Sequence, residues 1–98
     1  MQVRFVKDDL DKLELDATFT AGYSPAIVKA FRRRMSVIRA AKDERDLRAM
    51  KSWHFEKLSG NREHQYSIRL NLQFRLILEI DSSQTGNTIV VVAIEDYR

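Results

Sequence analysis

The sequence predicts an α+β domain: two N-terminal helices packed on a small, mainly antiparallel sheet, in the order β-α-α-β-β-β(-β). Three observations carry that expectation. After Ser24-Pro25, the apolar residues Val28, Phe31, Met35 and Ile38 recur three and four apart, the spacing of one helical face. From Gln65 to Ile80 the period becomes two. Tyr66, Ile68 and Leu70, then Phe74, Leu76, Leu78 and Ile80, alternate with Ser67, Arg69, Arg75 and Glu79, as half-buried strands do. The strands also follow the helices in hairpin succession, which segregates the helices to one face of the sheet.

Each element has a local reason. Val3-Arg4-Phe5-Val6 reads as a first strand with Val3 and Phe5 on one face. Asp8 or Asp9 is expected to cap a short helix from Leu10 to about Leu15, with Leu10, Leu13 and Ala17 as its apolar stripe. Ser24 caps the long helix, and Pro25 sits where its missing N–H costs nothing. That helix should run to about Ala41, with Lys29, Arg32, Arg33 and Arg39 outside. Asp43 can cap a further short helical turn through Arg48 to Met50. Trp53 to Lys57 is irregular or a short edge strand, and Gly60-Asn61 marks a turn.

Asn71-Leu72-Gln73 is the loop of a hairpin. If Leu70 and Phe74 share the core face, Arg69 and Arg75 share the opposite one and sit across from each other. Like charges so placed are destabilising, unless an anion or a carboxylate lies between them. Residues 81–87 form a polar loop, and Ile89 to Ile94 is a continuous apolar run, expected as a central strand covered on both faces.

With 98 residues the chain fits a single domain, 1–98, able to bury one core without staples. It has no cysteine, hence no disulfide and no thiolate metal site. His54 and Glu56 would share a strand face, but two ligands do not make a site. No metal or cofactor is expected. Phosphate-loop, GxGxxG and GxSxG patterns are absent, which removes support for those nucleotide-binding and serine-hydrolase classes. The longest apolar run falls far short of the ~20 residues of a membrane span. The start, MQVRFVKDD, lacks the apolar core of a signal peptide. A cytoplasmic protein without membrane association is the expectation. The net charge of +3 permits nucleic-acid binding without demanding it.

Arg69 and Arg75 either grip phosphate, which guanidinium groups do in a planar fork, or solvate the sheet and pair with Glu79 or Glu95. Tyr97 either stacks on a base or moves a proton, or it covers the end of the core. His54 and His64 are the only histidines, and histidine is the commonest general base near neutral pH. Both lie in the irregular region near Lys57 and Arg62, where a surface position is the alternative. The Arg32-Arg33-Arg34 run is either a solvated face or a contact for RNA or an acidic partner.

Phe55-Glu56-Lys57-Leu58-Ser59-Gly60-Asn61-Arg62, then Gln65-Tyr66-Ser67-Ile68-Arg69-Leu70-Asn71 and Gln73-Phe74-Arg75-Leu76, with the closing Glu95-Asp96-Tyr97, resemble the HigB toxins. These belong to the RelE/ParE superfamily of type II toxin–antitoxin systems. The resemblance implies a RelE/ParE-like fold and a ribosome-dependent, metal-independent mRNA endoribonuclease that inhibits translation. It also implies neutralisation by a helix-turn-helix, HigA-like antitoxin, with operator DNA bound only through the toxin–antitoxin complex. On matching positions it implies that Arg75 steadies the scissile phosphate, while Asp96 and Tyr97 position RNA or move protons. Arg69, Lys57, Arg62 and Arg98 are the implied phosphate contacts.

The sequence departs from the family pattern at two places. Members carry His-Pro-Leu-Lys-Gly before the turn, where this chain has Glu56-Lys57-Leu58-Ser59-Gly60. Many end Asp-Tyr-His, and this chain ends Asp96-Tyr97-Arg98. Three readings stay open. Glu56 or Tyr97 takes over proton transfer, His54 or His64 reaches in, or the protein is a catalytically weak RNA- or ribosome-binding relative. A ParE-like DNA gyrase inhibitor on the same fold is the further alternative.

Overall fold

The two periods of the sequence become two layers. In a computed structural model, which describes residues 1–83 and 86–97, three helices pack on a five-stranded mixed sheet of order β1-β5-β4-β3-β2. The strands are β1 (Gln2–Phe5), β2 (Glu56–Lys57), β3 (Gln65–Arg69), β4 (Phe74–Asp81) and β5 (Thr88–Asp96). The helices are α1 (Asp8–Leu15), α2 (Pro25–Ala40) and α3 (Glu44–Arg48). β1 runs parallel to β5, and the other pairings are antiparallel. Among the described residues no helix is long and apolar enough to cross a membrane.

The core lies between the layers. Phe31, Met35 and Ile38 of α2 and Leu10 and Leu13 of α1 meet Ile68, Leu76, Leu78, Ile89 and Val91 of the sheet. The Ser24 Oγ accepts the Ile27 N–H at 3.3 Å, and Pro25 follows at the first helical position. Asp43 caps α3 by accepting the Arg45 N–H at 2.9 Å. At α1 the expected aspartate cap is corrected. The helix already begins at Asp8, and Lys7 precedes it without a side-chain bond. Asp8 and Asp9 lie one and two positions too far in to cap, and favour the helix start only through its dipole.

Arg32, expected on the outer face of α2, reaches back instead. Its Nε donates to the Leu13 carbonyl at 3.0 Å, and its Nη2 donates to Asp16 and Phe19 carbonyls at 2.9 and 3.1 Å. It thereby ties the last turn of α1, through the Leu13 carbonyl, and the segment after it to α2. Arg39 grips Glu14 with two bonds of 2.7 Å.

The hairpin has the predicted register, with Arg69 opposite Arg75. Its loop is closed by Asn71 Oδ1, which accepts the N–H groups of Gln73 and Phe74 at 2.8 and 2.7 Å. β5 is longer than the apolar run and is interrupted. Ile77 pairs with Ala93 but Leu78 pairs with Val91, which leaves Val92 as the extra residue of a β-bulge. Ile89 and Val91 face the core before the bulge, and Ile94 faces it afterwards. Glu95 therefore lies on the opposite face, which an uninterrupted strand would have denied it. Val90 and Ile77 are buried too, outside the main core cluster.

Removing the α2 cap tests the boundary. Ser24→Ala is expected to lower the unfolding free energy by about 1 kcal/mol in urea titration, without changing the slope with denaturant.

Candidate functional site

Alternation along β3 and β4 leaves Arg69 and Arg75 together on the face away from the helices. On its other side Arg75 is registered with Glu95 of β5. The carboxylate required beside two facing cations is thus supplied by the chain itself. Arg75 Nη2 donates to Glu95 Oε1 at 3.3 Å. Glu95 is held more closely by Arg62, whose Nη2 and Nη1 donate to its two oxygens at 2.7 and 3.2 Å. Arg62 also donates from Nε to Gln65 Oε1 at 3.1 Å. The bonds from Arg62 and then from Arg75 hold the Glu95 carboxyl below its ordinary value, against the opposing effect of partial burial.

Tyr97 completes this corner. Its N–H donates to the Gln73 carbonyl at 3.0 Å, and its hydroxyl donates to the Asn71 carbonyl at 3.0 Å. Both bonds go to the hairpin loop, so the ring is fixed beside Arg75, whose Cζ lies 5.6 Å from its centroid. Arg75 Nε is the one buried side-chain polar atom without a hydrogen-bond partner among the described residues. Such atoms are rare in folded proteins and mark a demand left for a ligand or a water.

His54, Glu56, Ser67, Arg69, Arg75 and Tyr97 line a cavity of about 70 Å³. That volume suits a phosphate group rather than a whole nucleotide. Glu56 enters because β2 pairs it with Ser67 on the arginine face. His54 enters through a left-handed backbone, φ 49°, at the end of the 3₁₀ turn Lys51–Trp53. Left-handed non-glycine residues cost free energy and persist where the surroundings demand them. Trp53, directly before it, is buried. Arg34 lies over the Trp53 ring at 5.1 Å and donates twice to the Arg69 carbonyl, at 3.2 and 3.0 Å. The hollow therefore combines two guanidinium groups, which attract anions, with an imidazole, a carboxylate and a phenol, which are groups able to exchange protons.

The remaining candidates fall elsewhere. Lys57 pairs with Tyr66, on the opposite parity from Glu56. Asp96 pairs with Phe74, on the opposite parity from Glu95, and accepts from Gln73 Nε2 at 2.9 Å. Arg62 reaches the site through Glu95. His64 sits beside Glu79, Nε2 to Oε2 3.7 Å, at the far end of the β3–β4 ladder. Arg98 lies outside the described residues. Ser67, Arg34 and the holding role of Arg62 escaped the sequence reading. A larger groove of about 450 Å³ runs along α2, lined by Val28, Lys29, Arg32, Arg33 and neighbours. It contains no carboxylate, imidazole or phenol. Among the described residues no cluster of His, Cys, Asp or Glu could hold a metal ion.

The Glu95 network has a pH signature. Because its folded-state value is depressed, Glu95 contributes stability that is present above its unfolded value and lost as pH falls through the folded one. Glu95→Gln is therefore expected to be less stable than wild type near neutrality, by no more than about 1 kcal/mol for a pair this exposed. The difference should shrink on acidification below about pH 4.5. Urea titrations of both proteins across that range measure it, since other carboxylates cancel in the difference.

The comparisons with known proteins agree with this architecture. A YoeB/ParE toxin from Agrobacterium tumefaciens superposes over all of both chains with a TM-score of 0.61 at 14% identity. A chain of the YoeB–YefM complex from Staphylococcus aureus superposes with a TM-score of 0.60 at 17% identity, over 100% of this chain and 97% of that one. These likenesses establish the fold. No curated protein matches in sequence. The sequence pattern of the HigB-like toxins, RelE-like toxins of type II toxin–antitoxin systems, matches residues 3–93. Since that match spans nearly the whole chain, the protein belongs to the HigB-like, RelE-like toxin family of type II toxin–antitoxin systems.

Proposed function

We propose that this toxin is an endoribonuclease that cuts mRNA on the translating ribosome without a metal ion. The observation that carries the reading is the cavity itself, where Arg69 and Arg75 face one small hollow together with His54, Glu56 and Tyr97. In the proposed reaction the RNA 2′-hydroxyl gives its proton to a base and attacks the adjacent phosphorus. The O2′–P bond forms, the P–O5′ bond breaks, and the departing 5′-oxygen takes a proton. Glu56 is the proposed base and His54 the proposed acid, filling the roles of the histidine and lysine that the family carries before its glycine turn. Arg75 and Arg69 balance the second negative charge that develops on the phosphorane, the kind of preorganised stabilisation that contributes most to such steps. Tyr97 offers its ring face to an unpaired base. Asp96 acts indirectly, by tethering Gln73 and so the loop that holds Tyr97. Lys57 is a proposed phosphate contact outside the cavity, and Arg62 acts through Glu95.

The proposed setting is the cytoplasm, and the proposed partner is a helix-turn-helix antitoxin of the HigA kind, whose complex with the toxin contacts operator DNA. The Staphylococcus aureus YoeB–YefM complex supports an antitoxin partner as such.

Induced expression of the wild-type protein should arrest growth and stop protein synthesis. Arg75→Ala should remove both effects and lower the cleavage rate by about 10²–10³. Primer extension on mRNA from a translating extract reads the cuts directly. Gyrase supercoiling should be unaffected by purified toxin. Supercoiling inhibition would instead identify a ParE-like gyrase poison, and ribosome binding without cuts would identify a catalytically silent relative. Either outcome removes the nuclease reading.

A further inference from the structure

We propose that Glu95 is a built-in counter-anion that occupies Arg75 until an RNA phosphate displaces it, and that Arg62 is the holder that keeps Glu95 in place after the exchange. This rests on the RNA-cutting reading and adds two positioning residues to it.

The contacts are unequal in the way such an exchange requires. Arg62 binds both Glu95 oxygens, at 2.7 and 3.2 Å, whereas Arg75 makes one bond of 3.3 Å. Charge-assisted bonds weaken with length, and the two-pronged fork is the stronger arrangement. An incoming phosphate can take Arg75 while Glu95 retains both oxygens on Arg62. Without Arg62 the same displacement would leave the Glu95 carboxylate, its side chain 33% exposed, with no cation to hold it away from Arg75.

The empty site needs Glu95 as well. Arg69 and Arg75 face each other across the ladder, and cations so paired repel. Glu95 relieves that repulsion and keeps the Arg75 guanidinium against the Tyr97 ring. The substrate phosphodiester carries one negative charge, as Glu95 does, so Glu95 lowers the affinity for the ground state. The phosphorane carries two and competes better for Arg75.

Fluorescence anisotropy tests this with a labelled single-stranded RNA bearing 2′-methoxy groups, which binds without being cut. The proteins compared are wild type, Glu95→Gln, Arg62→Gln, the Glu95→Gln/Arg62→Gln double variant and Arg75→Ala. Glu95→Gln should bind about two- to fivefold tighter, the range that a partly exposed ion pair corresponds to. Arg62→Gln should weaken binding in the wild-type background and do nothing in the Glu95→Gln background. Unchanged or weaker binding by Glu95→Gln overturns the counter-anion. An Arg62→Gln effect that persists in the Glu95→Gln background overturns the holder, since Arg62 then touches RNA itself. A wild-type measurement keeps the question open to refutation if Glu95→Gln does not fold. On RNA addition the Arg75 Nε–H resonance should shift while that of Arg62 stays, and equal shifts overturn the exchange. If Arg75→Ala binds as wild type does, the RNA reading of the cavity fails and the inference with it. If Arg75→Ala binds weakly while Glu95→Gln gains nothing, only the counter-anion fails.

Discussion

Val92 has no partner on β4, and the face on which the last residues of the chain lie depends on it. Strand alternation is strict, so one unpaired residue exchanges the two faces for everything that follows. Ahead of Val92, Ile89 and Val91 pack under the helices. Beyond it Ile94 does so, and Glu95 comes out beside Arg75. A regular strand would put Glu95 opposite Phe74, the position that Asp96 holds, and on the face away from Arg75. It would also take away the carboxylate that bonds Arg75 across the ladder. The bulge therefore sets this ion pair with one backbone irregularity. β1 pairs with β5 only as far as Phe5 and Val91, so the irregularity falls where the parallel partner ends and disturbs no second ladder.

Arginine does several different jobs in this chain, and the distinction is geometric. Arg32 and Arg34 lie on a helix and turn their guanidinium groups onto backbone carbonyls: the end of α1 for Arg32, the end of β3 for Arg34. Those bonds join the layers. Arg62 lies in a 3₁₀ turn and grips a carboxylate. Arg69 and Arg75 lie on strands whose other parity is core, so their positions are set by the packing of Ile68, Leu70 and Leu76. The rigid hydrophobic layer thus aims the cations, and Arg34 ties that layer to α2 next to the cavity. Anion-binding groups carried on strands backed by a core need little further ordering when a ligand arrives, which keeps the entropic cost of binding low.

What the sequence made legible follows from which signals are local. The helix caps at Ser24 and Asp43, the hairpin register and the facing arginines could all be read, because each depends on residues a few positions apart. The bulge could not, because Ile89 to Ile94 is apolar throughout, and a run with no polar residue shows no parity to break. For the same reason Glu95 was visible only as one of two carboxylates that Arg69 or Arg75 could pair with. Arg32 and Arg34 resisted reading because long side chains on a helix reach carbonyls whose positions are set by tertiary packing. His54 and His64 were indistinguishable, since neither lies in a periodic segment. The left-handed turn after Trp53 separates them, and nothing local in the sequence announces it. Asp96 and Tyr97 were grouped as neighbours in sequence, whereas alternation sends them to opposite faces.

The departure from the family's histidine and lysine becomes intelligible in this frame. The residues that set the cavity's shape are the bulge, the hairpin loop that anchors Tyr97 and the arginine–glutamate network, and none of them belongs to the segment before Gly60. Glu56 stands instead on β2, a two-residue edge strand whose side chains are exposed. An edge strand this short contributes little to the core, so a side chain there can change without repacking its neighbours. His54 sits on a turn, likewise exposed, next to a buried tryptophan that fixes its backbone. The charge-bearing half of the site is thus built into the sheet, and the proton-bearing half is carried on its rim. The rim is where a fold tolerates exchange of one acid or base for another, because the physical demand there is reach into the cavity and the packing demand is small.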